Sequence, residues 1–403
     1  MTAPDTPPAG GPVGALRVRL ILVLGALAAL GPLAIDMYLP AFPTLARHFG
    51  VEPGAVQATL SAYFAGLAIG QAFCGPLADR FGRKGPLLAG LALFALASAA
   101  AAWAPGAGAL VGLRFVQAVG GCVGMVVGRA VVRDLFDERE SAKVFSRMAL
   151  VMGVAPILAP LLGGQMLLLW GWQSIFLALG AFGLFCLAAV QLQLPETLAR
   201  DRRFGGSPLQ VLGVYAGLLT DRRFLGFALT FGMVFASLFA YIAGSAFVFI
   251  TIYGVSAQDF GWLFGANAAG LIAATQVNVR LLRRWTGRQV LAAALVAGPL
   301  FGAAMVAAAA TGFGGLPGIL APLFLMVTSF GLIMGNCMAA AMASARSNAG
   351  AASALVGILQ FVCGGISSAL VGLLQDGTAL PMAAVSAGCI LAALAFHRLM
   401  AVR

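Results

Sequence analysis

A carboxylate inside an apolar segment is the residue of this sequence best suited to chemistry. Asp36 lies near the end of a run rich in Leu and Ala that begins at about residue 18, whereas the other acidic residues fall in tails, loops or segment ends. A charge at membrane depth costs several kcal/mol unless it is paired or hydrated, so Asp36 marks a candidate functional site. A carboxylate exposed alternately to the two sides of a membrane can carry a proton, and neither histidine, His48 or His397, lies well inside an apolar segment.

A second charge is predicted at the same depth. Arg114 lies about one turn inside the outer end of another apolar segment, and Asp36 lies about 27 Å along its helix from the inner end, at 1.5 Å per residue. Two opposite charges at matching depth are expected to be neighbours. The alternative is that Asp36 caps the helix end before Pro40, wetted by the outer surface, while Arg114 extends to that surface.

The elements that must position these residues are membrane-spanning helices. The chain of 403 residues is 61% hydrophobic and 9% charged, whereas a soluble domain has about 25% charged residues. Apolar runs of 18 or more residues can cross about 30 Å of hydrocarbon as helices, and continuous runs such as 87–102 exclude the alternating pattern of a β-barrel. The sequence therefore predicts an all-α membrane protein.

Twelve spans are predicted, in two sets of six. The segment 195–222 is the longest and most polar between spans; it contains Glu196, Arg200, Asp201, Arg202, Arg203, Asp221 and Arg222. It divides an N-terminal half, 17–194, from a C-terminal half, 223–403, and the Pro/Gly-rich residues 1–16 are predicted to be a disordered tail. The spans are 18–40, 56–76, 85–104, 109–131, 143–168, 173–194, 223–250, 258–281, 289–311, 317–342, 349–373 and 379–399.

The net charge of +11 indicates orientation rather than binding to nucleic acid. With the N-terminus in the cytoplasm, all but two of the 24 Lys and Arg residues lie on the inner side, the exceptions being Arg47 and Arg114. The positive-inside rule then predicts that both termini are cytoplasmic. The six cysteines lie in apolar stretches without CxxC or Cys/His spacing, so neither a metal site nor a cofactor is predicted.

The two halves carry related loops. Residues 79–84 follow the second span and residues 284–289 follow the eighth, and their Gly-Arg pairs are 205 residues apart, about half the chain. Repeated halves are typical of transporters whose substrate site lies between them near the midplane. The second loop has no Asp, so the two loops cannot do identical work.

The loop after the second span has the most specific motif. Its sequence, GPLADRFGRK, resembles the Gly-x-Leu-Ala-Asp-Arg-x-Gly-Arg-Lys signature of the major facilitator superfamily, at the same place between spans two and three. The resemblance implies a cytoplasmic latch between the halves, in which Arg83 pairs with Asp134 and Asp79 faces a helix start in the other half. The motif residues are Gly75, Asp79, Arg80, Gly82, Arg83 and Lys84.

Two further motifs resemble those of drug/proton antiporters. Span four contains RFVQAVGG, beginning at Arg114, and span five contains GVAPILAPLLGG, in which Ala159 replaces the usual glycine of the antiporter motif. Proline within a helix removes a hydrogen bond and favours a bend, and small residues permit close helix packing. Generic small-residue packing is the alternative explanation of the span-five motif. The residues of that motif with a candidate role are Pro156, Pro160, Gly163 and Gly164.

The first span identifies a branch of the superfamily. Residues 35–40, IDMYLP, resemble the signature of the bicyclomycin/chloramphenicol-resistance (Bcr/CflA) exporters. The resemblance implies a monomeric, multi-pass transporter of the bacterial inner membrane that works by alternating access and exchanges protons for a small, largely apolar drug. Its energy source would be the proton gradient, with Asp36 and Arg114 as the proton-coupling residues.

Two alternatives to drug efflux differ in how well the residues support them. A small-metabolite exporter or importer on the same fold stays open, because span five favours export only by analogy. An intramembrane enzyme is disfavoured, because the sequence has no HExxH motif, no histidine well inside a span and no pair of in-span carboxylates.

Polar and aromatic residues of the central spans could line a substrate pocket. Side chains of these types also join helices by hydrogen bonds, so either role stays open for each. The C-terminal half has no charge in mid-span, which favours neutral or weakly polar substrates. The pocket candidates are Tyr38, Tyr63, Gln117, Tyr241, Asn267, Asn336 and Gln360.

Overall fold

The described chain is helical throughout. The structure is a computed structural model that describes residues 14–199, 208–345 and 349–401. A short 3₁₀ turn covers Leu39–Ala41, and π-helical turns cover Phe247–Ile252 and His397–Ala401. The α-helices are α1 (Gly14–Asp36), α2 (Phe42–Phe49), α3 (Pro53–Phe81), α4 (Lys84–Ala101), α5 (Ala107–Leu135), α6 (Glu138–Trp170), α7 (Trp172–Gln193), α8 (Pro208–Thr220), α9 (Arg222–Ala246), α10 (Ala257–Leu281), α11 (Gly287–Thr311), α12 (Gly315–Ser344), α13 (Ala349–Leu373) and α14 (Leu380–Phe396).

Each predicted span coincides with one long helix. In the described part of the chain, 11 helices are long and apolar enough to cross a membrane by length and composition. The helix at a predicted span that does not meet this criterion is α10, whose 25 residues reach about 37 Å but include polar side chains such as Asn267 and Asn278. The predicted all-α membrane fold is confirmed.

The first span differs from its prediction at both ends. Helix α1 begins at Gly14, inside the predicted tail, and ends at Asp36 rather than Pro40; residues 1–13 of that tail lie outside the described residues. Pro40 and Pro43 lack the backbone N–H that would continue the helix, so the chain turns and starts the short helix α2. Asp36 therefore lies at the end of α1, where the chain changes direction.

The segment between the halves contains a helix that the sequence did not predict. Helix α8 lies within the predicted linker 195–222 and contacts α9 and α13. The predicted linker residues 200–207, including Arg200, Asp201, Arg202 and Arg203, lie outside the described residues.

The halves meet along two helix pairs, α3 with α13 and α6 with α10. We call the end of the bundle where α3 turns into α4 the basic end, and the opposite end, where α6 turns into α7, the far end. Near the far end, a Cβ on Gly54 would lie 2.5 Å from the carbonyl oxygen of Gly372, and Ser61 Oγ donates to Ser368 Oγ at 3.1 Å.

Towards the basic end, α3 and α13 separate. A cavity of about 420 Å³ lies between the last turns of α3 and the first turns of α13; we call it the basic-end cavity. Helices α3 and α13 are thus in close contact towards the far end and parted at the basic end, while a further cavity of about 750 Å³ at the far end lies between α2 and the Phe247–Ile252 turn.

Candidate substrate and proton site

Asp36 faces a cavity built by both halves. The residue is 4% exposed, and its Oδ1 has no hydrogen-bond partner within the described residues. The cavity has a volume of about 480 Å³ and is lined by α1, α5 and α6 from one half and by α9, α10, α12 and α13 from the other. We call it the central cavity. A buried carboxylate without a protein partner is costly unless it is neutral or meets a ligand.

The walls of the central cavity are apolar and aromatic. Ligand sites are typically clefts of about 300–1,000 Å³ with such walls and a few polar groups, and this cavity has that character. Asn267 donates to Tyr241 Oη at 3.3 Å, and its own Oδ1 has no partner within the described residues. The aromatic lining residues are Phe145, Phe235, Phe239, Tyr241, Phe264 and Phe361, and the polar ones are Asp36, Arg129, Asn267 and Gln360.

Arg114 is fully buried, but it does not form the expected pair with Asp36. Its Nη2 donates to the carbonyl oxygen of Ala34 at 2.7 Å, and its Nη1 donates to Gln117 Oε1. Its guanidinium carbon lies 4.1 Å from the centre of the Tyr38 ring. No ion pair joins Arg114 to Asp36 in the described chain. Arg114 lies at the level of the end of α1, since it reaches the main chain two residues before Asp36, but the two side chains point to different partners.

The alternative for Arg114 is also wrong. An arginine that extends to the outer surface would be exposed, whereas Arg114 is enclosed by aromatic rings and helix backbone. Cation–π contacts contribute about 2 kcal/mol when desolvated, so the rings of Tyr38 and Tyr63 compensate in part for the buried charge.

Three predicted pocket residues surround Arg114 instead of lining the cavity. The Tyr63 ring centre lies 4.2 Å from the guanidinium carbon, and Gln117 Nε2 donates to Ser98 Oγ at 2.6 Å. Tyr38 lies within hydrogen-bond distance of Thr59, at 3.1 Å. A buried guanidinium needs acceptors and π-faces, and these side chains supply them within the N-terminal half.

The remaining pocket candidates divide between two places. Tyr241, Asn267 and Gln360 line the central cavity. Asn336 instead donates to Asn278 Oδ1 at 2.8 Å, which joins α12 to α10. Asn336 is therefore a link between helices, which was the alternative role for these residues.

The loop motif forms an ion-pair cluster at the basic end. Arg83 Nη1 donates to Asp79 at 2.5 Å, and its Nε donates to Asp134 at 3.1 Å. Glu196, which was not predicted to take part, accepts hydrogen bonds from the backbone N–H groups of Arg83 at 2.8 Å and Lys84 at 3.3 Å. Its position just after the sixth span, beside Pro195, gave no motif to find.

The motif residues differ in what they contact. Gly82 has φ 96°, which favours glycine, whereas Arg80 is exposed and lies over the Phe81 ring. Asp79 and Gly75 line the basic-end cavity opposite Gly350 in the first turn of α13. In the described residues, the ion pairs of this cluster all join groups of the N-terminal half.

We expect Arg83→Gln to slow substrate turnover by about 5- to 10-fold while changing substrate affinity by less than about twofold. The reason is that Arg83 ties the α3–α4 turn to α5 through Asp134, and to the end of α3 through Asp79, but is not a lining residue of the central cavity. Turnover and binding of a purified variant would be measured side by side. Arg80→Gln is the matched control, since it removes an exposed arginine of the same loop; equal slowing in both variants, or none in either, would contradict the assignment.

The glycines of the span-five motif permit two close approaches of α6. The main-chain carbonyl of Met37 packs against Gly163 where α1 ends, and a Cβ on Gly164 would lie 2.6 Å from the carbonyl oxygen of Ala257 in the other half. Helix α6 continues through Pro156 and Pro160, and Pro156 lines the central cavity. The motif thus joins the Asp36 turn to the opposite half.

Comparisons with known proteins agree with this architecture. The sequence matches the Major Facilitator Superfamily over residues 24–371. The transporter YdgK of Bacillus subtilis, whose function is uncharacterised, is 38% identical over 376 residues, covering 93% of each chain. The bicyclomycin resistance protein homolog of Haemophilus influenzae is 33% identical over 373 residues, covering 92% of this chain and 93% of its own.

A solved structure shares the fold at low sequence identity. A bacterial homolog of the human lysosomal transporter Spinster, in an inward-facing and unoccupied conformation, superposes with a TM-score of 0.72 over 96% of this chain and 95% of its own, at 15% identity. The predicted family is therefore confirmed by sequence and by fold: this chain belongs to the major facilitator superfamily and is a multi-pass membrane transporter, not an enzyme.

Proposed function

We propose that this transporter exports small, largely apolar drug-like molecules in exchange for protons. The observation that carries the proposal is Asp36, a buried carboxylate with an unpartnered oxygen that faces a cavity lined by both halves. A site between two halves can be opened to either side by rocking one against the other. Relatives named for bicyclomycin resistance and multidrug transport support a drug as the cargo.

Asp36 couples the two fluxes by binding a proton or a substrate. In the closed, apolar cavity the carboxyl group is retained in its neutral, protonated form, because an unpaired buried charge is costly. When the cavity opens to water, the proton leaves and the carboxylate accepts a donor group of the substrate. Because proton and substrate compete for the same oxygen atoms, binding of one releases the other, which is the requirement for antiport.

We assign the basic end to the cytoplasm of a bacterium and the far end to the outside of its inner membrane. The clusters of Lys and Arg favour this orientation, with both termini cytoplasmic. The contact of α3 with α13 towards the far end, and their separation at the basic end, support access to the central cavity from the cytoplasm, where an exporter collects its cargo. The transporter acts as a monomer in this proposal.

Proton release on substrate binding tests the proposal. The purified transporter in weakly buffered detergent solution is mixed with each compound of an antibiotic panel, and released protons are measured with a pH-sensitive dye. We expect a compound that is exported from a drug-sensitive host to release protons from the purified protein. Export of that compound without any proton release would contradict antiport, and uptake of a metabolite in place of drug export would favour the metabolite transporter.

A further inference from the structure

We propose that Arg129 binds an anionic group of the substrate, so that the central cavity takes dipolar amphiphiles: molecules with a cationic group, an apolar body and a carboxylate or similar monoanion. This inference rests on the proposed function and specifies its substrate class. It depends on the position, orientation and unpaired state of Arg129, a residue that the charge pattern of the sequence assigned only to the inner side.

Arg129 lies where the two cavities meet. It is one of the lining residues of the central cavity, with Asp36 and Gln360, and it also lines the basic-end cavity beside Asp79. A molecule that enters from the basic end therefore passes the Arg129 guanidinium before it reaches the aromatic walls. A positive charge in a cleft with low-dielectric walls attracts and concentrates anions.

The side chain of Arg129 is folded towards the central cavity. Its Nε donates to the carbonyl oxygen of Met125 at 3.0 Å. Helix α5 runs from the far end to the basic end, so Met125 lies one turn closer to the cavity centre than Arg129 does. An arginine that only extended to the basic-end surface would point the other way. The side chain of Arg129 is exposed within the cavities and is turned towards the centre of the protein.

The guanidinium of Arg129 has hydrogen-bond donors that no described protein group accepts. Arginine offers five N–H donors in a planar fork that matches carboxylate and phosphate oxygens. Met125 takes the Nε donor, and no ion pair engages Arg129 within the described residues. Nearby, the carboxylates Asp79 and Asp134 are engaged by Arg83. A cation that faces a cavity with its terminal donors unused is suited to an anion that arrives with the substrate.

Asp36 provides an acidic group at the opposite end of the central cavity from Arg129, and we call these two groups the poles of the cavity. A Cβ on Gly124 of α5 would lie 2.7 Å from the carbonyl oxygen of Leu27 on α1, which fixes the relative depth of the two antiparallel helices. Asp36 lies nine residues outward from Leu27, and Arg129 lies five residues inward from Gly124, so their Cα atoms differ in depth by about 20 Å. The Arg129 side chain spans part of this distance, and an apolar body spans the aromatic section between the poles.

The sign of the coupling requires that a substrate with an anionic group also carries a cationic group. A simple anion would be repelled by ionised Asp36, so it would bind best when Asp36 carries its proton, which is the opposite of exchange. A cationic group at Asp36 competes with the proton, and a carboxylate at Arg129 adds affinity without disturbing that competition. A dipolar amphiphile is the class that satisfies both poles and retains antiport.

Binding of a matched pair of compounds tests this inference. The probes are 4′-(aminomethyl)biphenyl-4-carboxylic acid, a rod-shaped zwitterion, and its primary carboxamide, which retains the cation and the apolar body but has no anion. Their dissociation constants are measured on the detergent-purified transporter, without any gradient. We expect Arg129→Gln to weaken binding of the zwitterion by about tenfold or more, while the affinity for the carboxamide changes by less than about twofold. Arg129→Lys should retain part of the affinity for the zwitterion that Arg129→Gln loses.

Arg133→Gln is the matched control, because Arg133 is one turn away on α5 and lines the basic-end cavity but not the central cavity. Retained carboxamide binding shows that each variant is folded. Failure of the zwitterion to bind, equal loss of both compounds in Arg129→Gln, or an equal loss of the zwitterion in Arg133→Gln overturns the inference. If the zwitterion binds as expected but is not exchanged for protons, the antiport proposal fails and the anion site stands.

Discussion

Asp36→Asn is expected to abolish pH-driven export while leaving the transporter folded and able to bind substrate with lower affinity. Asparagine has nearly the same shape as aspartic acid and resembles its neutral form, but it cannot release a proton. Asp36 is already buried with an unpartnered oxygen, so the substitution removes a titrating group without removing a protein contact. Coupling free energies between sites correspond to about 5- to 150-fold effects, and we expect gradient-driven accumulation to fall by at least about 20-fold.

The measurement separates the coupling of transport to protons from the movement of the two halves. Transport of a substrate without net charge is followed in proteoliposomes, first with an imposed pH gradient and then as exchange at equal pH on both sides. We expect Asp36→Asn to lose the first activity and to retain most of the second at saturating substrate, because the amide oxygen still accepts a hydrogen bond and the halves can still rock. Asp36→Glu retains a carboxyl group and should retain part of the coupled activity.

Asp376→Asn is the matched control. Asp376 is an exposed acid between α13 and α14 whose carboxylate accepts hydrogen bonds from Thr378, so its loss should leave coupled export within about twofold of wild type. Full export by Asp36→Asn under the same pH gradient would remove Asp36 from the coupling mechanism.

The sequence predicted the architecture because hydrophobic length and charge position are strong signals. Spans of about 20 apolar residues and polar connections between them locate helices whatever their packing. The misplaced end of α1 has a local cause: composition continues to be apolar through Leu39, but Pro40 and Pro43 turn the chain. Helix α8 was missed because a 13-residue segment after a polar linker has no spanning signal.

The site was predicted less well because depth along a helix does not give direction around it. Asp36 could be found from the sequence, since it is the acid set within a span. Tyr38, Tyr63 and Gln117 were at suitable depths, yet their side chains turn towards Arg114 inside the N-terminal half. Which face of a helix meets a cavity depends on contacts with several other helices, such as the close approach of Gly163 to Met37.

Arg129 is a cavity residue that the sequence did not identify. Counting charges assigned it to the inner side, and that count was sufficient for orientation. The bond from its Nε to Met125, which turns the guanidinium towards the cavity, depends on the space left between α5 and the other half. A signal was present, since Arg129 follows Arg114 by 15 residues in one predicted span, but without the packing it indicated only a charge at a span end.

Arg114 and Arg129 are thus two arginines of one helix in different environments, one buried and one exposed, and this contrast predicts a large effect on stability for the first and a small one for the second. Arg114 joins α5 to α1 through the Ala34 carbonyl and supports Gln117 and two tyrosine rings. Arg114→Ala would leave these buried acceptors unsatisfied, and hydrogen bonds to charged groups contribute about 1.5–3 kcal/mol each. After relief of the buried charge is subtracted, we expect the variant to lose about 2–4 kcal/mol of stability.

The readout is the Tm of the purified variants in detergent, together with the fraction that is monodisperse. Arg129→Ala, which empties a position open to water in the cavities, should change stability by less than about 1 kcal/mol and leave the Tm close to that of wild type. Arg114→Ala should unfold at a clearly lower temperature. If Arg114→Ala were instead as stable as wild type but had lost pH-driven transport, Arg114 would act in proton coupling despite its separation from the Asp36 side chain. The contrast therefore decides between a scaffold role for Arg114, which its contacts favour, and the coupling role that its depth alone had suggested.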